Sequence, residues 1–196
     1  MRPLPHLVLW SARLRRPETQ TTEGERARLA AHAAGRRRIV EIGVWHGVTT
    51  CLLRRAMASD GVLWAVDPFP PGQLGFSIQR VVARSEVRRV TNGSVRWVRT
   101  TGVRAAEVYA LDRQPPVDLI FIDGDHSYQG LASDWRAWSH LVAPGGIVGL
   151  HDSRSTPERP IEDAGSVRAT RDIVLKDQLF DLIEEVDSLT LVRRRG

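Results

Sequence analysis

Strand and helix patterns alternate along this chain of 196 residues, and the alternation is the feature that most limits its fold. Each predicted strand is a short, nearly unbroken apolar run rich in β-branched residues, which is typical of strands covered on both faces. These runs span residues 37–43, 62–66, 95–99, 117–122 and 146–150. A helix pattern follows each of the first four, as parallel strands require. The sequence therefore predicts an α/β fold with a doubly wound, mostly parallel sheet.

The two ends of the chain depart from this alternation. Strand patterns at 180–186 and 189–193 are separated by two residues only, so they must form an antiparallel hairpin, and the predicted sheet has seven strands. Residues 1–20 are rich in proline and arginine and lack a sustained period, so we expect an N-terminal arm or cap there. Thr22 and Glu25 have the spacing of a capping box, which starts a helix. Residues 21–196 are expected to form one domain.

The composition excludes several classes of protein. Hydrophobic residues make up 42% and charged residues 26% of the chain, as in ordinary globular domains. No apolar run approaches the roughly 20 residues that span a bilayer, and the one cysteine, Cys51, excludes an internal disulfide. The net charge of +5 comes from dispersed arginines, which favours a solvated basic surface over a nucleic-acid patch. We expect a cytoplasmic protein without a membrane partner.

Polar side chains stand at the carboxyl end of every predicted parallel strand, which is where an open sheet of this kind binds its ligands. The residues in question are Glu41, Asp67, Thr100, Thr101, Asp123, Asp125, His151 and Asp152. Acidic or hydroxyl groups at all five strand ends are hard to attribute to loop composition alone. We therefore expect a ligand site along this edge of the sheet.

A glycine turn follows the first strand. Gly43 and Gly47 let the backbone turn tightly and approach a ligand. Trp45 occupies the place of the second glycine of a dinucleotide fingerprint, which disfavours a pyrophosphate ligand. Asp67 ends the second strand, roughly 20 residues further on, where a carboxylate commonly accepts both hydroxyls of a ribose. The alternative for the two glycines is a plain turn without a ligand. The alternative for Asp67 is a cap on the turn that begins at Pro68.

The fourth and fifth strands end in the densest polar clusters. Asp123 begins the run Asp-Gly-Asp-His-Ser-Tyr, and His151 and Asp152 follow the fifth strand. Because neighbouring parallel strands lie about 4.8 Å apart, Asp123 and Asp152 can converge on one point. Two or three oxygen ligands suit Mg²⁺, or Mn²⁺ if His151 joins them. Helix caps and turn formers would explain the same residues without a metal.

Four segments together resemble the class I S-adenosylmethionine-dependent methyltransferases. They are Glu41-Ile-Gly-Val-Trp-His-Gly, Ala65-Val-Asp-Pro-Phe, Phe121-Ile-Asp-Gly-Asp-His-Ser-Tyr and Ala143-Pro-Gly-Gly-Ile-Val-Gly-Leu-His-Asp. Within that class the pattern is most similar to the small-molecule O-methyltransferases of the macrocin and novobiocin type, and cephalosporin hydroxylase-like proteins share it. The resemblance covers about residues 20–195. It implies a Rossmann-like sheet whose last strand lies antiparallel beside the fifth.

The resemblance also implies a role for each strand end. The residues that would bind S-adenosylmethionine are Glu41, Gly43, Trp45, Gly47, Asp67, Thr100, Thr101 and Asp123. Asp123, Asp152 and His151 would hold Mg²⁺ or Mn²⁺, which would bind the acceptor hydroxyl and lower its pKa. His126 or Asp125 would take the hydroxyl proton, and His126 is preferred because a neutral imidazole is near its working pKa.

The implied activity is methyl transfer to a hydroxyl of a small molecule, such as a sugar or a natural product. An RNA methyltransferase, an Fe(II)-dependent hydroxylase-like enzyme and a non-catalytic cofactor-binding protein remain as alternatives. The acceptor pocket must come from residues 1–20, from the loops at 68–76 and 153–166, or from a second subunit of a homo-oligomer. Trp10 is expected to fold over the site. Arg154, Arg159 and Arg168 are candidates for recognising a carboxylate or phosphate of the acceptor, with solvated surface charges as the alternative.

Overall fold

Seven strands form one mixed sheet in the computed structural model, which describes residues 10–11, 14–72 and 75–196. The strands are β1 (Arg38–Ile42), β2 (Val62–Val66), β3 (Ser94–Val98), β4 (Val117–Ile122), β5 (Val142–Leu150), β6 (Phe180–Val186) and β7 (Leu189–Arg194). Their order across the sheet is β3-β2-β1-β4-β5-β7-β6. Strands β1 to β5 pair in parallel, and β7 is antiparallel to both β5 and β6. The predicted fold class is thus confirmed.

Six α-helices lie within the described residues and cover the two faces of the sheet. They are α1 (Glu23–Ala33), α2 (Val48–Ala56), α3 (Ile78–Val87), α4 (Gly102–Leu111), α5 (Tyr128–Trp138) and α6 (Gly165–Asp172). Helices α2 to α5 each connect two successive parallel strands. None of the helices in the described part of the chain is long and apolar enough to cross a membrane. Helix α1 begins with the predicted capping box, because the side chains of Thr22 and Glu25 each accept the other's backbone N–H.

The core consists of two apolar layers, one on each face of the sheet. Odd-numbered residues of the central strands, such as Ile39 and Leu119, are buried in the layer that includes Leu29 of α1. Their even-numbered neighbours, such as Val40 and Ile120, are buried in the opposite layer. Burial on both faces explains why the strands appear as unbroken apolar runs. It also holds the carboxyl ends of the strands in a rigid frame.

Two predicted boundaries are wrong for local reasons. Strand β5 begins at Val142 and not at Gly146, because its pairing with β4 shifts register and jumps from Val142 to Ile147. The intervening glycines made this bulged segment look like a turn in the sequence. The helix that the sequence predicts from about Phe76 begins at Ile78, because the Ser77 hydroxyl accepts the backbone N–H of Arg80 and so caps α3 there.

Candidate active site

A cavity of about 670 Å³ opens at the carboxyl ends of β1, β2 and β4, where the sequence predicted a ligand site. Eight of the predicted site residues line it: Gly43, Trp45, Asp67, Thr100, Thr101, Asp123, Asp125 and His126. The other four predicted residues, Glu41, Gly47, His151 and Asp152, do not line it. The structure therefore places most of the predicted residues on the surface of the cavity, and the other four do not line it.

The glycine turn after β1 depends on a close backbone approach. Gly43 has a φ of +90°, and a Cβ at this position would lie 2.0 Å from the carbonyl oxygen of Asp123. Its N–H donates to the carbonyl of Val66 at 2.9 Å. No residue with a side chain fits between these strand ends. Gly43 thus lets the ends of β1, β2 and β4 meet beside the cavity.

Asp67 holds this turn from the end of β2. Its Oδ2 accepts the backbone N–H groups of Val44 at 3.0 Å and Trp45 at 3.2 Å. Its Oδ1 accepts the N–H of Phe69 at 2.7 Å, so the carboxylate also caps the following turn, as the structural alternative held. Trp45 has a positive φ of 48°, and the bond from its N–H supports that conformation. Asp67 therefore orders the cavity wall that it also lines.

Two of the residues predicted to bind the cofactor, Glu41 and Gly47, do not line the cavity and contact neighbouring helices. Glu41 is fully buried, and its Oε2 accepts the hydroxyl of Thr50, whereas its Oε1 makes no hydrogen bond within the described residues. Burial, together with two nearby carboxylates, raises the pKa of Glu41 well above its usual value. Gly47 faces α3, where a Cβ would lie 3.1 Å from the Cα of Ala83.

Two imidazole rings converge on one carboxylate oxygen at the ends of β4 and β5. Oδ1 of Asp123 lies 2.9 Å from Nδ1 of His151 and 3.3 Å from Nε2 of His126. One potential ligand atom from each of these three residues lies within 4.8 Å of the other two. His151 is buried with 3% of its surface exposed, whereas Asp123 and His126 border the cavity. Two nitrogen donors and one carboxylate fit a divalent metal ion.

The second nitrogen of each ring faces a further carboxylate. Nε2 of His151 lies 3.5 Å from Oε2 of Glu25, a contact at ion-pair distance that is not aligned as a hydrogen bond. Nδ1 of His126 lies 3.3 Å from Oδ2 of Asp152. The guanidinium of Arg159 also donates to Oδ2 of Asp152. Arg159, a candidate for recognising an acidic group of the acceptor, is thus paired with a carboxylate of this protein.

The electrostatics of this cluster follow from its pairing. Hydrogen bonding to Asp123 and then to Asp152 raises the pKa of His126 to about 9. Burial opposes protonation of His151, but the contacts with Asp123 and Glu25 outweigh it and raise its pKa to about 10. Burial also works against ionisation of Asp152, yet the bonds from His126 and Arg159 prevail and lower its pKa. The raised pKa values favour the protonated form of both rings.

Asp125 stands at the mouth of the cavity. Its Oδ1 accepts the N–H of Ser127 at 2.9 Å, which orders the turn into α5. Gly130 in the first turn of α5 makes room for this carboxylate, since a Cβ there would lie 2.4 Å from Cγ of Asp125. The side chain is exposed and lines the cavity. Its carboxylate is therefore open both to the cavity and to solvent.

Two acidic residues at the site were missed by the sequence argument. Glu25 was interpreted only as a helix cap, and nothing in the local pattern links it to His151. Asp134 lines the cavity with 6% of its surface exposed, and burial raises its pKa to about 6, with Asp125 adding to the effect. The sequence held a signal for Asp134, because an acidic residue beside Trp135 within a helix pattern indicates a buried carboxyl group.

The predicted arm lies partly outside the described residues, which include Trp10 and Ser11 but not 1–9 or 12–13. Nε1 of Trp10 donates to Oε1 of Glu86 on α3 at 2.8 Å, and Trp10 is not among the residues that line the cavity. Gln20, near the end of the arm, does line it. The part of the arm next to α1 therefore contributes to the cavity wall.

Comparison with known proteins relates this arrangement to one family. Residues 40–153, more than half of the chain, match the model of a family described as a methyltransferase domain. A curated relative, an uncharacterized protein of Sinorhizobium fredii, is 29% identical over 129 residues, or 62% of this chain. The chain spans only 14% of that protein's length.

Solved structures share the fold at low sequence identity. One is an O-methyltransferase from Bacillus cereus in complex with S-adenosylhomocysteine, with a TM-score of 0.65 and 18% identity over 100% of this chain and 91% of that one. Another is the O-methyltransferase TomG from Streptomyces achromogenes, involved in tomaymycin synthesis and bound to S-adenosylmethionine. Its TM-score is 0.67 and its identity 17%, with the same coverage of both chains. Identities this low relate the folds alone.

Proposed function

Because the chain belongs to the methyltransferase-domain family, we propose that it transfers a methyl group from S-adenosylmethionine to a hydroxyl of a small molecule, of the sugar or natural-product kind. One observation carries the proposal: a continuous cavity joins Gly43 and Asp67, which follow β1 and β2, to Asp123, Asp125 and His126, which follow β4. Its volume of about 670 Å³ lies within the range of about 300–1,000 Å³ typical of small-molecule sites. Cofactor and acceptor can therefore share it.

The wall beyond β2 and β3 is suited to a nucleoside. The carboxylate of Asp67 offers about four acceptor positions, of which three receive backbone N–H groups. A ribose hydroxyl can donate to the remaining one. Thr100 and Thr101 border the same wall before α4, where an adenine ring would lie.

The charge of the cavity favours a cationic cofactor. Four carboxyl groups line it, those of Asp67, Asp123, Asp125 and Asp134, whereas His126 is the one basic side chain among the described lining residues. S-Adenosylmethionine carries a sulfonium and an ammonium group, which such a wall attracts, whereas a pyrophosphate would be repelled. This agrees with the tryptophan found where a pyrophosphate-binding turn needs glycine.

The reaction requires a base, because the methyl group leaves the sulfonium sulfur and forms a bond to the hydroxyl oxygen. S-Adenosylhomocysteine is released, and the hydroxyl proton must pass to an acceptor. Asp125 is exposed at the cavity mouth and can accept that proton. Both ring nitrogens of His126 face carboxylates of the protein, because Nε2 lies 3.3 Å from Asp123 and Nδ1 lies 3.3 Å from Asp152. We therefore favour Asp125 over His126. A divalent cation held at Asp123 and His151 would, when bound, lower the pKa of the acceptor hydroxyl.

Calorimetric titration with S-adenosylhomocysteine tests the cofactor. We expect binding to the wild-type protein, at least about tenfold weaker binding to Asp67→Asn, and unchanged binding to Asp60→Asn. Asp60 is a matched control because it is exposed and pairs with Arg37 at the surface. Absence of binding to the wild type, or equal affinity in all three proteins, would contradict the proposal.

Transfer of labelled methyl groups to a panel of hydroxylated sugars and phenols tests the reaction. With any acceptor found, Asp125→Asn should lower turnover at least about 100-fold, because general-base catalysis contributes that much. Its affinity for S-adenosylhomocysteine should be unchanged. A variant with full turnover would eliminate Asp125 as the base.

A further inference from the structure

The spacing of the three residues around Asp123 Oδ1 is that of metal ligands. Ligands of one transition-metal ion lie about 2.0–2.2 Å from it, and hence roughly 3–3.5 Å from one another. The oxygen of Asp123 is 2.9 Å from the ring nitrogen of His151 and 3.3 Å from that of His126. A small movement would admit an ion between them. Asp123 and His126 border the cavity, so an open coordination position would face it.

The far nitrogen of each ring has the carboxylate partner that metal-binding histidines usually have. A carboxylate behind the ring fixes its orientation and makes the ligating nitrogen more basic. Glu25 stands 3.5 Å behind His151, and Asp152 stands 3.3 Å behind His126. Such backing of both rings is a second observation, independent of the spacing of the three ligand atoms.

These two carboxylates are themselves anchored. Glu25 is fully buried and accepts the N–H of Thr22 at 2.8 Å and the N–H of Ser188 at 2.9 Å. Oγ of Ser188 lies 2.7 Å from Glu25 Oε1 and 3.1 Å from Asp152 Oδ1, so one hydroxyl lies between the two carboxylates. Both therefore have fixed positions behind the rings.

Asp152 is poorly placed to be a ligand itself. Its Oδ2 is bound by the guanidinium of Arg159 and faces the far nitrogen of His126. A metal ion at that oxygen would lie beside a guanidinium, and the two cations would repel each other. We infer that Asp123, His126 and His151 bind a divalent transition-metal ion, and that Asp152 orients His126 from behind.

The donor set selects the metal. Mg²⁺ prefers oxygen ligands, whereas imidazole nitrogens suit Mn²⁺, Fe²⁺, Co²⁺ and Zn²⁺ increasingly well. Two imidazoles and one carboxylate therefore favour a transition metal over Mg²⁺. The inference that the cluster binds a metal ion rests on the geometry of the cluster alone. Only the use of that ion in methyl transfer rests on the proposed function. A ligating His126 is also unavailable as a base, which agrees with Asp125 in that role.

The test uses Co²⁺ as a spectroscopic probe of the full-length protein. We expect one equivalent of Co²⁺ to produce a visible d–d absorption that an excess of Mg²⁺ does not remove and that Zn²⁺ does. Proton NMR of the Co²⁺ form should show two strongly shifted, solvent-exchangeable imidazole N–H signals, one for each ring. Displacement by Mg²⁺, or a single shifted signal, would overturn the inference, and neither measurement needs a variant.

Matched variants extend the test. His126→Gln should weaken Co²⁺ binding by more than about 100-fold, since removal of an outer carboxylate alone costs roughly 10–100-fold. His140→Gln is the control, because His140 is an exposed histidine in the turn after α5. Thermal denaturation would verify that both proteins are folded. Equal affinity of the wild type and His126→Gln for Co²⁺ would then refute the site. Since S-adenosylhomocysteine binding is measured separately, a missing metal site and a wrong methyltransferase function give different results.

Discussion

The carbonyl oxygen of Asp123 occupies the space that a side chain on Gly43 would need, because a Cβ there would lie only 2.0 Å away. The two residues end β1 and β4, which are neighbours at the centre of the sheet. Their contact joins the glycine turn after β1 to the cluster of Asp123, His126 and His151. The contact can be tested by adding one methyl group.

Gly43→Ala should destabilise the protein and abolish binding of S-adenosylhomocysteine. A positive φ alone costs about 1–3 kcal/mol, and the clash with Asp123 adds to it. Gly145→Ala is the matched control, since Gly145 has a φ of +74° but nothing within 4 Å of its Cβ position. Urea denaturation and calorimetry should show a larger loss of unfolding free energy for Gly43→Ala, and intact ligand binding only in the control. Equal losses would mean that the contact has no special role.

Asp134 should make the protein less stable as the pH rises. Its pKa is about 6 when folded, above the usual value of 3.8, so the folded state disfavours its ionised form. The penalty is absent below pH 4, grows between about pH 4 and 6, and is constant above. Asp134→Asn should thus gain up to about 3 kcal/mol relative to wild type at pH 7 and almost nothing at pH 4. Denaturation at several pH values, with exposed Asp163→Asn as control, measures this, and a pH-independent difference would disprove it.

Cys51 should be inert in the folded protein. Burial raises the pKa of its thiol to about 11, so only about one molecule in a thousand carries the thiolate at pH 8. Mass spectrometry after iodoacetamide treatment at pH 8 should find little alkylation of the native protein and complete alkylation in denaturant. Rapid modification of the native state would show that α2 opens readily.

Arg159→Met should change the metal preference of the cluster. Removing the guanidinium leaves Asp152 without its cation, so its carboxylate can join the ligands and make the site richer in oxygen. We expect the ratio of Co²⁺ to Mg²⁺ affinity to fall at least about tenfold, measured by competition. Arg171→Met is the control, because Arg171 is largely exposed and pairs with its neighbour Asp172 at 3.1 Å. An unchanged ratio would mean that Arg159 does not govern the choice of metal.

The sheet was predictable because its signals are local. Buried runs such as 117–122 have the same bounds in the sequence argument and in the structure, and so does the hairpin strand at 180–186. Five polar strand ends predicted the edge at which the cavity lies. The start of β5 was missed because a bulge in its pairing with β4 has no local signature in the sequence.

The chemistry of the cluster was less predictable, because it depends on contacts between distant parts of the chain. Glu25 and Ser188 meet although they are 163 residues apart, and the capping box gave no hint of that partner. The pKa of His126 is raised by Asp123 and Asp152, which follow different strands. The sequence places titratable groups at a strand end, but only the folded arrangement determines which of them holds a proton.

Ser188 belongs to the two-residue turn between β6 and β7, yet it lies between the two carboxylates that back the histidines. During synthesis the glycine turn, the ribose wall and both histidines leave the ribosome well before this residue. A chain that stops short of the hairpin would contain every predicted site residue and still lack the hydroxyl that lies between Glu25 and Asp152. The arrangement of the two carboxylates behind the histidines thus depends on the hairpin, and a chain without the hairpin would lack the hydroxyl that links them.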